Sequence, residues 1–271
     1  MNLTSPSQVK AWCIENGFHP NKVMGQNFLV DRNTLEAIVD AGLEGVAGES
    51  PSVLEIGPGL GVLTEELLRR GCRVTAVEKD AVLAARLAES LGSPNGLTVI
   101  AGDALAALER QTLALDGFDA MISNLPYQAG TRILLDLVIA RVPAAMTVLV
   151  QSEVAERLAA REGSKARSLA GVWAQLDYDV RILRKVPPTC FWPRPQIGSC
   201  VVRLDRHDRG AALTENQRRM FRSMTKRAFS QRRKQLGRVL KDMVQSTLRA
   251  EELTNEDWIA LTKGLTENED T

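Results

Sequence analysis

Three glycines and two acids, set at the ends of three successive apolar runs, carry the first chemistry in this 271-residue chain. The run Val53-Leu54-Glu55-Ile56 leads through Gly57-Pro58-Gly59-Leu60-Gly61 into a helical pattern. At Gly57 and Gly59 the backbone can approach a ligand where any Cβ would clash, and the helix start beyond them favours an electronegative group. The spacing is G-x-G-x-G rather than the G-x-G-x-x-G of dinucleotide enzymes, and Pro58 removes an amide donor that a pyrophosphate would need. Glu78 follows the second run, 21 positions after Gly57, where an acid accepts hydrogen bonds from both hydroxyls of a ribose. Asp103, after the third, places a carboxylate where an adenine amino group is read, although the commoner role of such an Asp is a helix N-cap. An adenosyl ligand without phosphates meets all three demands, which points to S-adenosylmethionine rather than NAD.

At the end of the fourth run stands Asn124-Leu125-Pro126-Tyr127. It resembles the (N/D)-P-P-Y motif of methyltransferases that act on exocyclic amino groups of nucleobases. The Asn124 amide oxygen and the Leu125 carbonyl, held by Pro126, offer two acceptors that turn the lone pair of an N6 amino group toward a methyl donor. This is catalysis by positioning rather than by proton abstraction. Tyr127 supplies a ring for stacking on a base taken out of its helix. Alone, an Asn-x-Pro segment reads as a strand-ending turn; its place after the fourth strand of such a sheet favours the reaction. Only His19 and His207 are present, and Cys13, Cys72, Cys190 and Cys200 form no C-x-x-C pair, so neither histidine acid-base chemistry nor a metal site is expected.

These pieces, with others, resemble the ribosomal RNA adenine N6,N6-dimethyltransferases over nearly the whole chain, the small-subunit group above all. The further matches are Gly25-Gln26-Asn27-Phe28-Leu29, Gln151-Ser152-Glu153-Val154-Ala155-Glu156-Arg157-Leu158, Val186-Pro187-Pro188, Phe191-Trp192-Pro193-Arg194-Pro195 and Phe229-Ser230-Gln231-Arg232-Arg233-Lys234. The resemblance implies that Gln26, Asn27 and Leu29 lie at the cofactor together with Gly57, Gly59, Glu78, Asp103 and Asn124. It implies too that Phe191 lines the target-base pocket opposite Tyr127. On physics alone Phe28 and Leu29 also suit a helix-entry staple, and Phe191 a core anchor for a proline-rich loop. The chain departs from the family's usual pattern at Gln128-Ala129-Gly130, at Arg167-Ser168 and at Gly198. The expected activity is S-adenosylmethionine-dependent dimethylation of two adjacent adenosines near the 3′ end of small-subunit rRNA, within a ribosomal assembly intermediate. The alternatives are a large-subunit rRNA adenine methyltransferase of the antibiotic-resistance type and a non-catalytic RNA-binding assembly factor.

Such residues need a sheet that presents its strand ends along one edge. Strand-type runs at 53–56, 73–77, 97–101, 118–123 and 146–150 alternate with helical patterns at 60–70, 81–91 and 130–140. The fold class is therefore α/β, a Rossmann-like, mostly parallel methyltransferase sheet, with 179–185 and 199–204 as an antiparallel edge beyond a further helix at 153–160. After residue 205 only helical patterns follow, at 215–229, 231–244 and 257–263. The expected domains are 1–207, catalytic and cofactor-binding, with 1–30 covering the cofactor, and 208–271, a smaller all-α rRNA-binding domain.

Charge supports that division. The formal net charge is +1, yet residues 203–249 hold 14 basic and 4 acidic side chains, and 218–241 hold ten basic and none acidic. A polyanion-facing surface explains this density, with Arg222, Lys226, Arg232, Arg233 and Lys234 as candidate RNA contacts; a merely solvated helix face is the alternative. No run of about 18 uncharged apolar residues occurs, and residues 1–12 lack a secretory pattern. The expectation is a cytoplasmic monomer with reduced thiols and no membrane partner.

Overall fold

The computed structural model describes residues 1–21, 24–241 and 243–267. Lys22 and Val23 of the expected cover, and Asp242 and residues 268–271 of the expected helical region, lie outside the described residues. The strands are β1 (Phe28–Leu29), β2 (Ser52–Ile56), β3 (Arg73–Glu78), β4 (Leu97–Ala101), β5 (Ala120–Asn124), β6 (Ala145–Gln151), β7 (Tyr178–Val186), β8 (Phe191–Trp192) and β9 (Ser199–Arg206). Seven of them form one sheet in the order β4-β3-β2-β5-β6-β9-β7, while β1 and β8 pair with each other.

The expected α/β class is what the structure shows. β2 to β6 run parallel, and β9 lies antiparallel to β6 with Gln151 opposite Ser199. Val53, Leu54, Met121, Ile122, Val148 and Leu149 are buried, as a parallel sheet covered by helices on both faces requires. From β2 the chain moves outward through β3 to β4 and then returns to β5 on the other side of β2. A crevice opens at the carboxyl ends of strands where the order reverses in this way.

Helices α1 (Pro6–Glu15), α2 (Arg32–Leu43), α3 (Val62–Arg69), α4 (Ala81–Ser90), α5 (Ala104–Glu109), α6 (Gly130–Ala140) and α7 (Ser152–Ala159) accompany the sheet. Side-chain caps fix where several begin: Asp31 accepts from Thr34 N, and Asp80 from the Val82 and Leu83 amides. The carboxyl end of α2 is closed from β9. Arg203, 4% exposed, donates through Nη1 to the Ala41 and Gly42 carbonyls at 2.7 and 3.1 Å and through Nη2 to Glu44 O at 3.1 Å. Its charge is met by Asp205 Oδ1 at 2.7 Å.

Backbone contacts divide the chain into two compact units, Met1–Ala155 with Arg181–Asp205, and Glu156–Val180 with Arg206–Thr271. The second unit thus takes in residues 156–180 besides the C-terminal helices. The reason lies in α8 (Leu169–Asp177), whose Val172 and Leu176 share a core with Phe221, Met224, Leu236 and Trp258. That unit also contains α9 (Glu215–Ser230), α10 (Leu236–Val239) and α11 (Asn255–Glu267). A capping box starts α9, with Thr214 accepting from Gln217 N and Gln217 accepting from Thr214 N. Inside it Arg218 makes a buried two-point ion pair with Asp177, at 2.7 and 2.9 Å.

One expected helix is corrected. The pattern at 231–244 yields only the four residues of α10, because the backbone there is tied elsewhere. Leu236 N donates to Leu248 O at 2.8 Å and Gly237 N to Ser246 O at 2.9 Å, with a bridge between Gln235 and Arg249. These long-range bonds replace the helical ladder. The helices α1, α2, α5 and α8 were not foreseen; α5 has six residues, and α8 is apolar around most of its circumference, so neither shows an amphipathic stripe.

Candidate active site

The crevice at the carboxyl ends of β2, β3 and β5 is a cavity of about 330 Å³. Its walls come from the glycine turn, the ends of β3 and β5, Gly102 to Ala104, and residues 24–29 of the N-terminal segment. Gly57, Gly59 and Gly61 take φ values of +72°, +60° and +90°, a left-handed path that other residues rarely follow. A Cβ on Gly59 would stand 3.1 Å from the Phe28 ring, so the turn leaves just enough room for the segment that covers it.

Glu78 is 6% exposed and anchored at both oxygens. Oε2 accepts from Gly59 N at 3.0 Å and Oε1 from Asp80 N at 2.8 Å. Burial lifts its carboxyl above the usual range, and these amide donors pull it back. The Gly59 amide is thus directed to Glu78. Close by, Glu55 is fully buried and accepts from Thr64 Oγ1 at 2.7 Å. Burial pushes it up to about 8, so at neutral pH this cavity wall carries a proton. Nothing in the sequence singled out Glu55, because a Glu inside an apolar run shows its burial only once the strand has neighbours.

Asp103 takes the N-cap role. Oδ1 accepts from Leu105 N at 2.9 Å and caps α5, while Oδ2 stands 2.8 Å from Lys79 Nζ and the residue lines the cavity. Lys79, exposed and missed in the sequence, is the main reason its carboxyl lies below the usual range. The N-terminal segment is tied down by Gln26, whose Nε2 donates to Asp80 Oδ2 at 2.9 Å and whose Oε1 accepts from Asn21 N at 2.7 Å. Leu29, 1% exposed, pairs across to Phe191 through β1 and β8.

The reaction motif lies where β5 ends. Leu125 N donates to Leu149 O at 3.1 Å and Gly130 N to Pro126 O at 2.7 Å, which fixes the backbone on both sides of Pro126. A Cβ on Gly130 would meet Leu125 Cβ at 2.8 Å, so this departure from the family pattern lets α6 start directly against the motif. Asn124 Nδ2 donates to Asn27 O at 3.3 Å, and Asn27 Nδ2 to Gly25 O at 3.0 Å. The Asn124 amide nitrogen is thus engaged with the N-terminal segment, and the residue lines the cavity. Tyr127 lines the cavity, and its Oη lies 2.7 Å from Ser199 Oγ. Ser199 was read only as part of an edge strand; its partner is 72 positions away and leaves no local signal.

Phe191 lies apart from the residues that line this cavity. It is 3% exposed and belongs to the apolar core with Leu29 and Val30. Pairing of β8 with β1 turns it inward, which is the core-anchor role. The other two departures are structural as well. Arg167 is 1% exposed and donates to Ala160 O, Gln175 Oε1 and Asn255 Oδ1 at 2.9, 2.7 and 2.6 Å inside the second unit. Gly198 O accepts from Ser152 N at 3.0 Å beside the start of β9.

In the second unit the five candidate RNA contacts differ. Lys226, Arg233 and Lys234 are exposed. Arg222 is half-buried, and desolvation lowers its pKa. Arg232 is taken by Glu251 and by the carbonyl of Lys165, each at short range. Among the described residues no group of three His, Cys, Asp or Glu side chains is placed to hold a metal, and no helix is long and apolar enough to cross a membrane.

The family model described as ribosomal RNA adenine dimethylase matches residues 17–263. Ribosomal RNA small subunit methyltransferase A of Deinococcus radiodurans is 44% identical over 203 residues, covering 75% of this chain and 67% of that one. The protein of the same name from Mycobacterium bovis is 41% identical over 243 residues, covering 86% and 74%. A dimethyladenosine transferase from Plasmodium falciparum has the same fold, with a TM-score of 0.74 at 21% identity over 89% of this chain and 98% of that one. A glycine turn against a buried acid, a strand-end Asn-Leu-Pro-Tyr and these relatives converge: the chain belongs to the ribosomal RNA adenine dimethylase family, enzymes that dimethylate adenine in rRNA.

Proposed function

We propose that this enzyme dimethylates N6 of two adjacent adenosines near the 3′ end of small-subunit rRNA, on a ribosomal assembly intermediate, as a cytoplasmic monomer that uses S-adenosylmethionine. The observation that carries the chemistry is Asn124: its amide nitrogen is held by Asn27, so its oxygen accepts from the target amino group. The cavity suits an adenosyl group, because the acids Glu78 and Asp103 both line it and a Cβ at Gly59 would crowd the Phe28 cover. When bound, that cofactor supplies an electrophilic methyl group.

Glu78 receives the ribose hydroxyls on lone pairs that the Gly59 and Asp80 amides leave over. Asp103 receives the adenine amino group beside Lys79. Asn124 and the Leu125 carbonyl hold the target nitrogen, Tyr127 stacks on the extruded base, and the segment through Gln26 to Leu29 keeps water out. Lys226, Arg233 and Lys234 of the second unit bind phosphates. Labelled S-adenosylmethionine, incubated with undermethylated small or large subunits, tests the reading. The expected label lies on two neighbouring adenosines of the small subunit; label on large subunits alone refutes it.

A further inference from the structure

Stacking asks more of Tyr127 than a place in the chain. The backbone of the motif is pinned at Leu125 and Pro126, but beyond its Cβ the ring turns about two torsions, the second of them broad. A ring free to turn presents its face in many planes, and only some of them hold a base with its amino group at Asn124. The far end of this ring is tied to a different element. Tyr127 Oη lies 2.7 Å from Ser199 Oγ, and Ser199 is 1% exposed at the first position of β9.

Ser199 is itself held firmly. It faces Gln151 in the antiparallel register of β6 and β9, and the carbonyl before it accepts from Ser152 N at 3.0 Å. The motif's own parent strand β5 is paired to the same β6, with Asn124 opposite Leu149. Asn124 and the Tyr127 hydroxyl are therefore referred to one rigid strand from its two sides. Residue 199 does not line the cavity, so it acts through the tyrosine.

From this geometry we propose that Ser199 is a positioning residue: its hydroxyl sets the plane of the Tyr127 ring and thereby the pose of the target base during methyl transfer. The inference rests on the function proposed above. Its test is a double-mutant cycle on the full-length protein, with Ser199→Ala, Tyr127→Phe and the two combined, assayed by methyl transfer to undermethylated small subunits. Loss of one partly buried hydrogen bond should lower kcat about fivefold to tenfold in either single variant. KM for cofactor should stay near wild type and the melting temperature should fall by only a few degrees, too little to account for the loss of kcat, a split that a purely structural role would not give. The combined variant should be no slower than the worse single one. Tyr127→Phe reads the bond from its less buried end, should Ser199→Ala fold poorly. Wild-type kcat in the single variants, or losses that multiply in the combined one, overturns the inference while the proposed function stands. A wild-type enzyme that labels no subunit overturns both.

Discussion

The carboxyl edge of the sheet and the basic segment 218–241 handle charge in opposite ways. At the sheet edge, Glu78 takes its hydrogen bonds from the amides of Gly59 and Asp80, close to its own strand end and the neighbouring turn. In the basic segment, side-chain carboxylates of other elements consume the charge: Asp177 at the end of α8 holds Arg218, and Glu251 holds Arg232. Where backbone turns present the groups, residue type and spacing are enough to place them. Where distant side chains consume the charges, composition alone overstates how many remain for a ligand.

The contrast is open to attack at four points. Arg218→Ala should act hardest, because it leaves the Asp177 carboxylate buried without its cation; the cost to the second unit is about 3–5 kcal/mol, read by urea unfolding. Cofactor affinity by calorimetry should stay unchanged, and a parallel fall in both would erase the distinction between the two regions. Asn124→Ala should cost about a hundredfold in single-turnover methyl transfer with cofactor binding nearly intact, since its amide acts in the transition state. Near-normal turnover would remove it from the mechanism.

Glu78→Ala should weaken cofactor binding at least about tenfold, and it strands the Gly59 and Asp80 amides as well. An unchanged dissociation constant in a folded variant would show that the ribose is held elsewhere. The smallest effect is expected from Arg233→Glu with Lys234→Glu. These exposed cations should weaken subunit binding several-fold and flatten its salt dependence, leaving the melting temperature alone. The same exchange at Arg232 should instead lower stability, because Glu251 and the Lys165 carbonyl hold that guanidinium.

Much of the first unit was legible in the sequence. The alternation of 53–56, 73–77, 97–101, 118–123 and 146–150 with helical patterns became β2 to β6, because buried parallel strands need continuous apolar runs. The glycine turn, Glu78, Asp103 and residues 124–127 line one cavity for the same reason: each follows a strand end. What escaped depends on tertiary partners. The stretch 231–244 has helical periodicity, yet the amides of Leu236 and Gly237 pair with residues 248 and 246. Phe191 suited both a pocket wall and a core anchor, and its place in the apolar core is set by the pairing of β8 with β1, which no local pattern shows. Lys79, Glu55 and Ser199 have types too common to stand out before the fold brings Asp103, Thr64 and Tyr127 beside them.

The ribbon of β1 and β8 bears on how the protein is made. Phe28 pairs with Trp192, 164 positions later, and β9, the last strand in the chain, enters the sheet between β6 and β7. At translation rates of roughly 5–20 residues per second, that separation is a wait of about ten to thirty seconds. During it the nascent chain carries Glu78 and Asn124 on strands that have already emerged, while Phe28 and Leu29 have no partner strand to cover them. Until residues 191–192 leave the exit tunnel the covering segment is held only by its contacts to Asp80 and Asn124, and its strand pairing is the last of its ties to form.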